Sequence, residues 1–150
     1  MKLKKIICWP PLLGGIGAGV TIGILAYITF QSILAGTNYG LWLAASFGSS
    51  VVVVFGYPHN EFSQPKNVLF GHLLCALVGI IFVTLFKITQ DRTIFFLTIG
   101  LAVGLSVMLM MALKITHPPA GGNTIVVMLT QDSFQFLIFP IMVGAITIII

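Results

Sequence analysis

The chain has 150 residues, of which 58% are hydrophobic and only 7% charged, with a formal net charge of +4. Soluble domains carry roughly 25% charged residues, so three acids and seven bases cannot solvate a water-exposed fold of this length. Composition excludes a water-soluble protein, shows no nucleic-acid-binding pattern, and points to one integral membrane domain over residues 1–150.

Lys2, Lys4 and Lys5 precede the first apolar run. Basic residues before a span mark a cytoplasmic start, and a bacterial inner membrane is the expected location. The run that follows Pro10 and Pro11 is too long for a signal-peptide core, and no small-residue cleavage pattern follows it.

A membrane-crossing helix needs about 20 apolar residues. The first such run is 12–34, with Gly15, Gly19 and Gly23 spaced every four residues. Next comes a short apolar piece at 47–55, too short to span without its flanks, then a loop holding His59 and Glu61. A second long run covers 67–86 and a third 93–113, where Gly100 and Gly104 repeat the four-residue spacing. A second short piece lies at 122–129, and a last run at 134–150 is at the lower limit for crossing. The expected fold is an all-α integral membrane bundle of four long and two short helices. Small residues every four positions let helices approach where lipid offers no hydrophobic drive, so the glycine faces predict a tight bundle and permit a homodimer. Trp9 and Trp42 are placed as interfacial anchors. The run "GGIGAG" (14–19) has the wrong spacing for a dinucleotide fingerprint and no strand before it.

The short pieces resemble each other. Residues 48–54, "GSSVVVV", align with 122–128, "GNTIVVM"; downstream, Pro65 aligns with Pro140 and Gly71 with Gly144. Each short piece follows a long run. The chain therefore reads as two three-helix repeats; three crossings per repeat make them inverted, the expected arrangement, and two would make them parallel. Lysine and arginine counts do not settle the topology, because crossing and re-entrant short helices give the same split between the two sides.

The stretch 114–128, "KITHPPAGGNTIVVM", concentrates polar and helix-breaking residues inside an apolar chain. Pro118 disfavours helix at His117, so the preceding helix should end near Thr116. Gly121 and Gly122 allow a turn, and Asn123 or Thr124 can cap the next helix. Irregular backbone at membrane depth survives where it is buried in protein or lines a cavity. The expectation is a helix N-terminus at a protected place, where free N–H groups attract an anion. Ser49 and Ser50 are expected at the equivalent start of the first short helix.

The motif "HPPAGGN" (117–123) resembles the signature of the HPP family of small integral membrane proteins. The stretch "FGSSVVVVFGYPHNEFSQPKNVLFGHLLCALVG" (47–79) resembles that family's other characteristic segment, in the same order and spacing. The resemblance implies an α-helical membrane domain and, from plant and cyanobacterial relatives, nitrite transport. Lys66 stands where the family pattern has arginine, and Cys75 where serine is common.

These readings assemble a candidate binding site for a small anion from Ser49, Ser50, Asn67, His72, His117, Gly121, Gly122, Asn123 and Thr124. Its ligand would be a monovalent oxyanion, nitrite above nitrate, with the two histidines as donors or proton carriers. His72 and Cys75 are spaced i,i+3, but no acid stands near them in sequence, so neither a metal nor a cofactor is expected. Ser49, Ser50 and Cys75 have no evident base–carboxylate partner, and Glu61, Asp91 and Asp132 fall in loops, so enzyme chemistry is not expected. The alternative function is a non-transporting membrane module that assembles or regulates a partner.

Overall fold

A computed structural model of the chain describes residues 9–34, 43–86, 92–131 and 133–150. It contains six α-helices, and no strand among the described residues. They are α1 (Trp9–Leu34), α2 (Leu43–Gly56), α3 (Pro65–Phe86), α4 (Arg92–Ala112), α5 (Gly121–Thr130) and α6 (Val143–Ile149). Helices α1, α3 and α4 are long and apolar enough to cross a membrane. Trp42, Lys87, Asp91 and Asp132 lie outside the described residues.

The expected fourth long helix is broken. Pro140 interrupts 134–150, and Phe139 before it adopts an extended backbone (φ −132°, ψ 115°). A proline removes one backbone donor and pushes its predecessor out of the helical region. Only the last turns, α6, are regular helix beyond it. The short helices are longer than their apolar cores suggest: α2 has 14 residues and α5 has 10.

Helix directions follow from side-chain contacts. The far end of α2 returns to the start of α1, where Gly14 faces the Phe55 carbonyl and Gly17 the Phe55 ring. Helices α1 and α2 are thus antiparallel, and α2 crosses the bundle rather than turning back within it. A short connection reverses the chain into α3. Within it Ser63 Oγ lies 2.9 Å from Val53 O and 2.6 Å from Tyr57 O, and Asn67 Nδ2 donates to Glu61 O (2.8 Å). Helix α4 returns antiparallel to α3, with Cys75 Sγ 3.6 Å from Met110 Sδ. Helix α5 then runs parallel to α3: Gly71 faces Ile115, His117 and Ala120, while Gly79, two turns on, faces Thr124 and Val127. So α1 and α4 run oppositely, as do α2 and α5. The two halves are inverted copies in their helix directions. Gly71 of α3 and Gly144 of α6, aligned by the repeat, each admit the short helix of the other half: Gly71 the entry to α5, Gly144 the Phe47 ring of α2.

The core lies where α2, α3, α5 and α6 meet, around Phe47, Val51, Val68, Ala76, Val127 and Ala145. The glycine expectation divides. Gly14, Gly17, Gly71, Gly79 and Gly144 are close-packing positions, whereas Gly15, Gly19, Gly23, Gly100 and Gly104 face outward with nothing within 4 Å of an added Cβ. Four-residue spacing says that one face is small, and it leaves open whether that face looks in or out.

Candidate functional site

Seven polar residues are buried around the centre of the bundle: Ser46, Ser50, His72, Ser106, His117, Asn123 and Thr124. Each arrives for a local reason. Ser46 and Ser50 are one turn apart on α2 and share a face, so Ser50 meets His72 and His117 while Ser46 lies against Gly122. His72 lies two turns into α3 on the face shared with Gly71. His117 has the extended backbone (φ −133°, ψ 97°) that Pro118 demands. Lys114, with φ 54°, ends the turn after α4 and redirects the chain towards it.

The side chains form a connected chain. Ser50 Oγ is 2.9 Å from His72 Nε2 and 2.9 Å from His117 Nε2. His117 Nδ1 is 2.7 Å from Phe62 O, so that nitrogen donates to the carbonyl. On the other side, Asn123 Nδ2 lies 2.7 Å from His72 Nδ1. The imidazoles approach with centroids 5.1 Å apart, and the Phe47 ring covers His72 at 4.7 Å. One turn deeper, Thr124 Oγ1 donates to Cys75 O at 2.8 Å and meets Ser106 Oγ at 2.8 Å. No buried side-chain nitrogen or oxygen among the described residues lacks a partner. That completeness matters energetically, since an orphaned buried polar group costs about 1–3 kcal/mol.

Of the expected site residues, the structure brings Ser50, His72, His117 and Asn123 into direct contact, with Thr124 beside Asn123 bonded to Cys75 O and Gly122 against Ser46. Ser49 and Asn67 are elsewhere. Ser49 is exposed and bonds back to Ser46 O, because adjacent helix positions point about 100° apart. Asn67 secures the connection before α3.

The expected geometry of an anion at two helix starts is corrected. Ser49 and Ser50 lie mid-way along α2, not at its start. The α5 start has few free donors. Pro118 and Pro119 have no N–H, Ala120 N–H bonds to His117 O, and Gly121 N–H bonds to Pro118 O and Pro119 O. Gly121 therefore offers no free N–H. Asn123 and Thr124 do not cap the helix; they reach across to α3. Ser50 touches two imidazoles, a pairing that nothing local in the sequence announces. Sequence reading missed Ser46, Ser106 and the Phe62 carbonyl. Only the Ser46–Ser50 spacing was visible as a signal, and a helix start drawn too late concealed it.

Among the described residues no group of three or more His, Cys, Asp or Glu side chains converges as metal ligands. A groove of about 400 Å³ lies on another face, between Phe70, Leu73, Leu74, Leu77, Leu113, Ile115 and Leu137. Its lining is apolar and contains none of the polar cluster.

Ser50, His72, His117 and Asn123, which make the histidine contacts, come from the two segments that carry the HPP-like motifs, and the whole chain matches in the same sense. The model of the family described as "HPP, transmembrane region" covers residues 5–150. The chain belongs to the HPP transmembrane family. Among curated proteins, a transmembrane protein of Dictyostelium discoideum is 33% identical over 112 residues, 72% of this chain and 39% of that protein. A second transmembrane protein of the same organism is 28% identical over 133 residues, 86% of this chain and 42% of its own length. The chain thus spans about two-fifths of these relatives. No solved structure matches. As an HPP transmembrane domain, the protein is integral to a membrane, and its two motif segments, 47–79 and 117–123, fold against each other.

Proposed function

We propose that this HPP domain forms a membrane pathway for a small monovalent oxyanion, nitrite foremost, which opens where the inverted halves meet. The observation that carries this reading is a pair of fully buried histidines, His72 and His117, held on one serine hydroxyl between those halves. Ionisable side chains inside a membrane bundle are expensive and mark solute or proton paths by default. Inverted repeats place transport sites at their interface. Nitrite as the substrate rests on the family resemblance. The donors available to an anion are side-chain groups, namely the imidazole N–H groups, the Ser50 hydroxyl and the Asn123 amide, rather than free helix N–H groups. His72 and His117 touch Ser50 directly, so admitting an anion requires α2 to move away from α3 and the 117–123 segment. Lys2, Lys4 and Lys5 support an N-terminus in the cytoplasm, and a bacterial inner membrane suits that reading.

Nitrite uptake into liposomes containing the purified protein tests the reading. The unaltered protein should give a flux well above empty vesicles, and His117→Ala should lower it at least tenfold. Uptake equal to that of empty vesicles at both acidic and neutral pH removes the proposal. A second reading, a non-transporting assembly module, is favoured by the outward glycine faces of α1 and α4. It expects stable co-purification of a partner and no effect of His117→Ala on any flux.

A further inference from the structure

The contacts at Ser50 contain one more hydrogen-bond position than the neutral side chains can fill. Ser50 Oγ is 2.9 Å from each of three neighbours: Ser46 O, His72 Nε2 and His117 Nε2. A hydroxyl has one hydrogen to donate. Ser46 O only accepts. His117 Nδ1 lies 2.7 Å from Phe62 O, another pure acceptor, so Nδ1 carries the ring hydrogen and Nε2 of the neutral imidazole is bare. Two acceptors therefore already face the single hydroxyl hydrogen, and His72 must be the donor through Nε2–H. Its Nδ1 is then the acceptor, as the Asn123 amide requires: Asn123 Nδ2 lies 2.7 Å from Nδ1 and 3.4 Å from His72 O.

The neutral network consequently runs one way. Asn123 donates to His72, His72 to Ser50, Ser50 to His117, and His117 to Phe62 O. While Ser50 donates to His117, the Ser50–Ser46 contact has no hydrogen. When the hydroxyl turns to Ser46 O, the His117 Nε2 contact has none. One added proton on His117 Nε2 fills all three. His72 Nε2–H and His117 Nε2–H then both donate to Ser50 Oγ, whose two lone pairs accept them, and Ser50 Oγ–H donates to Ser46 O.

We propose that His117, Ser50 and His72 form a binding site for a single proton inside the membrane domain, with the Ser50 hydroxyl as the switch between its two states. Binding forms one N–H bond, at His117 Nε2, and breaks none in the protein; a hydronium ion supplies the proton and leaves as water. The positive charge rests on the His117 ring and is shared through the Phe62 carbonyl and Ser50. Among the described residues, the titratable group in ring contact with His117 is His72. The α2 and α5 groups facing the cluster are the uncharged Ser46, Ser50 and Asn123. Of the adjoining segments, His59 and Glu61 in the connection before α3, Lys66 in the first turn of α3, and Lys114 after α4 are exposed. The site follows from the hydrogen-bond count. Its use to couple a proton to a transported anion rests on the transport reading above.

Nitrogen-15 NMR of histidine-labelled protein in lipid nanodiscs tests the site without any flux measurement. At alkaline pH the two buried rings should show opposite tautomers, hydrogen on Nδ1 in His117 and on Nε2 in His72, with His59 as a solvent-exposed reference. On acidification His117 should become doubly protonated while His72 stays neutral. Ser50→Ala removes the acceptor for the new N–H, so proton binding at His117 should weaken about tenfold, one pH unit. Ser50→Thr, which keeps a hydroxyl, should restore it. Identical tautomers in both rings, protonation of His72 before His117, or an unmoved midpoint in Ser50→Ala would overturn the proposal. If Ser50→Ala does not fold, the tautomer pair of the unaltered protein decides alone. Absent nitrite flux with the tautomers as described would remove only the transport reading.

Discussion

The glycines at the centre and those at the rim have opposite surroundings. A Cβ added to Gly144 would sit 2.5 Å from the Phe47 ring, and one added to Gly79 would sit 3.0 Å from Val127 Cβ and 3.1 Å from Thr124 O. At Gly19 or Gly104 it would meet nothing within 4 Å. At the centre, glycine sets the distance at which the two halves interlock. At the rim it shapes a surface that looks away from the bundle. The same contrast divides the polar residues. Buried Ser50 joins two histidines from other segments, and its exposed neighbour Ser49 bonds only to its own helix.

The sharpest way to break this contrast is Gly144→Val. Phe47 is fully buried and has no room to yield, so overpacking should cost about 3 kcal/mol. Unfolding of the purified protein in detergent measures it, and a stable Gly144→Val would mean that α2 and α6 do not pack as described. His117→Ala should cost about 2 kcal/mol, since it leaves the Phe62 carbonyl and the Ser50 hydroxyl short of a partner. The same unfolding assay checks it, with His59→Ala, an exposed position, expected to be neutral. Ser106→Ala should cost about 1 kcal/mol, because Thr124 loses one contact and keeps Cys75 O. A value as large as that for His117→Ala would place the weight of the polar core on the wrong chain of contacts. The smallest effect belongs to the rim: Gly19→Ala should change unfolding by less than about 0.5 kcal/mol. A large loss there would show that the outward face of α1 is covered in the folded protein.

Much of the fold was legible beforehand. Long apolar runs at 12–34, 67–86 and 93–113 became α1, α3 and α4, because the length needed to cross a bilayer is written in composition. The repeat was legible through Pro65 with Pro140 and Gly71 with Gly144. The break at Pro140 does not show in hydropathy, which is blind to a missing N–H. Of the candidate site, the residue types were legible and their partners were not. His72 and His117 are 45 positions apart, and nothing local pairs them through Ser50. The anion-at-a-helix-start picture failed for a reason present in the motif itself: Pro118 and Pro119 remove the very donors that such a site needs.

Composition and the length of apolar runs alone determined that this chain lives in a membrane and that it is helical. Those properties depend on averages over many residues and on the length of apolar runs. The tertiary structure decided which small faces turn inward, how the halves interlock, and which serine meets both histidines. Such choices depend on ångström-scale fit between segments far apart in the chain, as where the Phe47 ring lies against Gly144 and Gly71 makes room for His117.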